Sequence, residues 1–148
     1  MLKRFMPLAS LLIIINLTGC SSGSADKKVP ELANEMCDCF AKFQQELSPD
    51  AMALMKTVSA SASPQADMMA GMSKLKPEDA TAFAEKMQSI ATKGSDVYSC
   101  MEAFDKKHGK ETTKDKKALT EKLLKEMRSN IKCPVGAAIV NLSVAKGM

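Results

Sequence analysis

Two cysteines separated by a single residue, Cys37 and Cys39, fall inside a stretch whose apolar residues Leu32, Met36, Cys39, Phe40, Phe43 and Leu47 recur at steps of three and four, the spacing of one helix face. Residues two apart on a helix differ by about 200° around its axis. The two sulfurs therefore point to nearly opposite flanks and cannot bond each other while the helix is intact. If both are used, each reaches a different neighbouring element, and the helix lies between two others. No other feature of the 148 residues constrains the fold as tightly.

The oxidation state of those thiols depends on compartment, and the N-terminus speaks to that. Lys3 and Arg4 precede an apolar run through Leu11, Leu12, Ile13, Ile14, Ile15 and Leu17, and small residues then lead to Cys20. This is the layout of a secretory signal peptide. As a membrane span the stretch 5–20 is short of the roughly 20 residues required, and it contains Pro7, Ser10, Asn16 and Thr18. The tetrapeptide Leu17-Thr18-Gly19-Cys20 resembles the lipobox of bacterial lipoproteins. That resemblance implies a diacylglycerol thioether on Cys20, removal of residues 1–19 as the signal peptide, and acylation of the new N-terminus. Two or more acyl chains, at about 0.8 kcal/mol per buried methylene, hold a protein on a bilayer without a spanning helix. Cleavage leaves 129 residues and, with Lys3 and Arg4 removed, a side-chain charge of +2 in place of +4. So small a balance in an exported protein does not argue for nucleic acid.

Residues 21–29 are small and polar and read, with the acylated Cys20, as a flexible tether over 20–29 ahead of a single domain at 30–148. In lipoproteins of this kind, residues after the acylated cysteine direct sorting. Ser21 is not the Asp that favours inner-membrane retention, and no acidic run resembles a surface-export tag. The resemblance thus implies an outer-membrane protein facing the periplasm, with the inner membrane or the cell surface as alternatives.

With Cys20 given to lipid, Cys37, Cys39, Cys100 and Cys133 remain, an even number in an exported domain. Such a set reads as disulfides. The helix geometry removes Cys37 with Cys39 and leaves two pairings open: Cys37 with Cys100 and Cys39 with Cys133, or Cys37 with Cys133 and Cys39 with Cys100. A thiolate metal site using Cys37 and Cys39 is the alternative, but zinc knuckles space close pairs by two to four residues on a turn. A working Cys37/Cys39 dithiol would need the helix unwound there.

From Pro30 onward the pattern is helical. One helix starts at Pro30, and Ser48 caps a second that begins at Pro49. The stretch 51–73, interrupted by Pro64, reads as two short helices. A long helix is expected from Pro77 to about His108, with Ala80, Ala84, Met87, Ala91, Gly94, Tyr98 and Met101 forming a stripe widened by Phe83, Ile90, Val97 and Phe104. Another runs over 113–130 on Leu119, Leu123, Leu124 and Met127, and the apolar tail 135–145 forms a last short helix docked on the rest. The expected fold is all-α, a small bundle of about four to six helices stapled by two disulfides.

Chemistry-bearing groups are scarce. A single imidazole, His108, excludes catalytic triads, His-rich metal sites and haem attachment. No glycine-rich phosphate loop, nucleophile elbow or spaced carboxylate pair is present, so no enzymatic activity and no cofactor are expected. Met68, Met69 and Met72 cluster in a chain with twelve methionines; thioethers suit Cu(I), and core packing is the competing reading. Ten basic and four acidic residues lie between Lys106 and Lys132, so Lys114, Lys117, Lys125 and Arg128 are candidates for contact with an anionic surface, against a solvated helix face.

The set Glu35-Met36-Cys37-Asp38-Cys39, a lone Cys100, and Cys133-Pro134 after a basic helix resembles a group of small cysteine-containing envelope lipoproteins, which brings with it no activity. The expectation is a membrane-anchored, non-enzymatic binding or envelope-structural module with an envelope protein as partner. The alternatives are a copper or thiol-redox carrier and a carrier of a lipid or other apolar ligand.

Overall fold

The computed structural model describes residues 25–108 and 116–146, with side chains from 28 and 117 onward in the two stretches. The leader, Cys20 and Lys114 lie outside the described residues. Among those described, the chain forms seven helices: α1 (Ala25–Gln45), α2 (Pro49–Ala60), α3 (Pro64–Met72), α4 (Pro77–Ile90), α5 (Asp96–His108), α6 (Lys116–Ser129) and α7 (Pro134–Ala145). None of them is long and apolar enough to cross a membrane.

Helix α1 begins five residues before Pro30, so the tether expected through residue 29 does not extend that far. The cause is Val29, which continues the apolar stripe of Leu32, Ala33, Met36, Phe40 and Phe43 and is only 4% exposed. Pro30 sits just past the first turn, where its missing N–H costs a single helical bond. The chain then turns at Ser48, whose Oγ accepts from the Ala51 backbone N–H at 3.3 Å ahead of Pro49. Pro64 opens α3 in the same N1 position.

The single long helix expected over 77–108 is two helices. Residues 91–95 form a turn in which Gly94 takes φ +92°, a conformation costly to any residue with a Cβ. Ser95 then caps α5, its Oγ accepting from the Tyr98 N–H at 3.1 Å. Phe83, Ile90 and Val97 are buried at seven-residue steps straight across this break, so the periodicity conceals the turn. The Ala and Met positions of the stripe are only half-buried.

The C-terminal helix is not a late addition to the bundle but its centre. Helix α7 packs against α1, α2, α3 and α6, with Val135, Ala137 and Ala138 fully buried. A helix apolar all round belongs in a core. Its close approach depends on Gly136, where a Cβ would stand 2.8 Å from Met127 Cε, 2.9 Å from Cys133 Sγ and 3.2 Å from Phe40 Cδ2. Met55, Met127, Val58, Val135 and Cys133 complete the most deeply buried set. Helices α4 and α5 lie at the periphery and add only Phe83, Ile90 and Val97 to the buried core.

Candidate functional site

The chemistry of the chain gathers along the two flanks of α1. Cys37 is bonded to Cys133, with Cα atoms 5.3 Å apart, and Cys39 to Cys100, with Cα atoms 5.5 Å apart. Both separations are ordinary for disulfides. Of the two pairings open in the sequence, the second is the one formed. One sulfur holds the segment that starts α7 and the other holds α5, as the 200° offset requires.

The α5 flank is an antiparallel seam. The Lys42 ammonium pairs with the Asp96 carboxylate at one end, Cys39–Cys100 lies in the middle, and Glu35 meets Lys107 and His108 at the other end. Glu35 Oε1 accepts from Lys107 Nζ at 2.7 Å, and Oε2 lies 2.8 Å from His108 Nε2. The imidazole is 13% exposed and tilts against Phe104 with ring centroids 4.8 Å apart. Hydrogen bonds from Lys107 first and His108 second hold the Glu35 carboxyl below its usual range. At the other end of the seam, the hydrogen bond and charge of Lys42 lower Asp96, and Asp96 raises Lys42 in return.

On the opposite flank, amides do the joining. Gln44 Nε2 donates to the Lys132 carbonyl at 2.9 Å, and its Oε1 accepts from the Val135 N–H at 3.2 Å. Cys133, the residue before α7, is committed to its disulfide and offers no cap. Gln44 therefore satisfies one of the orphan donors of the α7 first turn from a different helix. Asn130 Nδ2 donates to Asn34 Oδ1 at 3.1 Å alongside it.

A third junction closes α2. Asn141 of α7 is buried, and its Nδ2 donates to the carbonyls of Val58 and Ser61, each at 2.8 Å. Arg128 Nε donates to the Ser59 carbonyl at 2.6 Å, with Nη2 3.5 Å from the Ser61 carbonyl. A cation at a helix C-terminus is favoured by the dipole as well. Ser61 Oγ donates to Asp67 Oδ2 at 2.6 Å and accepts from the Ser63 N–H, tying the turn to α3.

Arg128, singled out for an anionic surface, caps α2 while remaining exposed, as Lys117 and Lys125 are on the same helix. Met68 and Met72 share a face of α3 and pack half-buried on the core, while Met69 points outward at 75% exposure. The three thioethers do not converge. Among the described residues, no group of three or more His, Cys, Asp and Glu side chains is placed to hold a metal ion. Sequence reasoning missed Gln44, Asn141 and the Glu35–His108 contact. For Asn141 a signal existed, a lone amide within a helix whose one other polar side chain is Ser143, whereas partners 73 residues apart left none for Glu35 and His108. No family model, curated protein or solved structure matches the chain.

Proposed function

We propose that the chain is a lipid-anchored envelope protein, acylated on Cys20, whose oxidised helical body serves as a non-enzymatic interaction module at the outer membrane facing the periplasm. The observation that carries this reading is the parity of the cysteines. All four in the body are joined in two bridges, so the fifth, Cys20, is odd. An odd cysteine in an exported chain calls for its own chemistry, and this one stands at the end of a signal-like apolar run in a tetrapeptide resembling a lipobox.

The non-enzymatic part draws support from how the remaining reactive groups are spent. The sulfurs are bonded to each other, the imidazole is held by Glu35, and the one guanidinium of the described residues caps α2. What the body presents outward is a basic α6 face and two large apolar side chains, Ile131 at 91% and Met69 at 75% exposure.

Intact mass of the protein extracted from membranes, with and without reductant, tests the proposal. The expected species starts at Cys20, carries the mass of acyl chains, and takes up four hydrogens on reduction; Cys20→Ser abolishes the acyl mass. A chain that retains its leader and carries no acyl group overturns the anchor. Photo-crosslinkers at Ile131 and Met69 on intact envelopes test the interaction role, which a purely monomeric, adduct-free protein overturns.

A further inference from the structure

The two bridges differ in what surrounds them. Cys37 and Cys133 are 4% and 0% exposed, in the centre of the bundle between α1 and the start of α7. Cys39 is buried, but its partner Cys100 is only half-buried, on the peripheral α5. Helix α5 packs on the body chiefly through α1, and α4 through α2. Apart from the bridge, the α4–α5 arm is held by three buried side chains, Phe83, Ile90 and Val97, by Lys42–Asp96 with side chains 72% and 73% exposed, by Lys86–Glu46, and by the contacts of Glu35 with Lys107 and the part-buried His108. Exposed ion pairs contribute little. A covalent bond near the surface thus holds an arm that adds few residues to the buried core, while the second bridge holds the centre.

From this we infer that Cys39–Cys100 is a reducible latch: an exported dithiol reductant opens it selectively and frees α5, with α4, from the flank of α1. A thiolate of the reductant attacks Cys100 Sγ, forming a mixed disulfide and releasing Cys39 as the thiol once protonated. The second thiol of the reductant then attacks that mixed disulfide, becomes oxidised with the first, and releases Cys100 as a thiol. Two electrons and two protons pass to the protein, and the dithiol becomes a disulfide. Opening uncovers Cys39 on α1 and Val97 and Phe104 on α5, which are buried or half-buried in the latched form.

The inference rests on the exported, oxidised state proposed above, and the two are scored separately. Full-length protein purified from membranes is titrated with dithiothreitol, trapped by alkylation and mapped by peptide mass, with acylation read on the same sample. Cys39 and Cys100 are expected to be alkylated at concentrations about tenfold below those that open Cys37–Cys133. Simultaneous opening, or Cys37–Cys133 opening first, overturns the latch, whereas unacylated protein whose bridges open in the stated order overturns only the anchor. In the Cys39→Ser/Cys100→Ser variant, amide exchange over 77–108 is expected to rise about tenfold with α2, α6 and α7 still protected. Unchanged exchange in α5, or exchange raised throughout, refutes a separable arm.

Discussion

Replacing Asn141 by Leu keeps the approximate volume of a buried side chain and removes the donor that closes α2. The amide is 6% exposed and gives two hydrogen bonds of 2.8 Å, to the carbonyls of Val58 and Ser61. Each bond is worth about 1 kcal/mol net, and a buried carbonyl left without a partner costs about 1–3 kcal/mol. Neither carbonyl is fully orphaned, because Val58 still accepts from the Ser61 N–H at 3.3 Å and Ser61 keeps the Arg128 contact at 3.5 Å. The expected loss is therefore about 2–3 kcal/mol, or a fall in Tm of roughly 8–12 °C at about 4 °C per kcal/mol for a domain of this size. Arg128→Met, at an exposed site, costs about 1 kcal/mol alone and more when combined with Asn141→Leu, because the guanidinium is by then the last side-chain donor on Ser61. Thermal and urea denaturation of both single variants and the double measure that coupling, expected at about 0.5–1 kcal/mol. A loss below about 1 kcal/mol for Asn141→Leu, or strict additivity, refutes the shared cap.

Three further outcomes follow from other contacts. Glu35 titrates below the ordinary glutamate value of 4.5 in the folded chain, so its charged form favours folding above that value, and the contribution is lost as pH falls through the folded-state value. Stability curves between neutral and acid pH should converge for wild type and Glu35→Gln at low pH; parallel curves contradict the assignment. Gly136→Ala gains up to about 1 kcal/mol in helix propensity but meets Met127, Cys133 and Phe40, an overpacking cost of about 1–3 kcal/mol. Net destabilisation is expected by urea titration, and a stabilised variant refutes the close packing. Gly94→Ala forces a Cβ into φ +92° with open space around it, so a loss of about 1–2 kcal/mol should come from the backbone alone, and Gly94→Asn should recover part of it. Equal losses for both variants rule out that origin.

How far the sequence discloses this molecule depends on whether a feature is local. The Cys37–Cys39 offset is a property of one helix, and it correctly places a neighbour on each flank. Which neighbour lies on which side is a matter of tertiary arrangement, and nothing in the spacing ranks Cys100 against Cys133. The cap at Ser48 and the helix start at Pro64 are local and legible as well. The break at Gly94 is local but masked, because Phe83, Ile90 and Val97 keep a seven-residue step through it. The central place of α7 was readable in part: from Cys133 to Ala145 no charged residue occurs, which marks a helix with little surface to spare for water. Arg128 is legible only in half. Its exposure alongside its lysine neighbours follows from the charge pattern, and only the position of α2 gives it the Ser59 carbonyl as an acceptor.

The early start of α1 bears on the geometry of the proposed anchor. Only residues 21–24 separate Cys20 from Ala25, and even a fully extended chain advances at most about 3.6 Å per residue, so the interval is no longer than about 18 Å. Helix α1 itself, with 21 residues, is about 31 Å long. If Cys20 carries acyl chains as proposed, α1 would hold the bundle close to the bilayer with little slack, and the reach of the protein would be set by its own height.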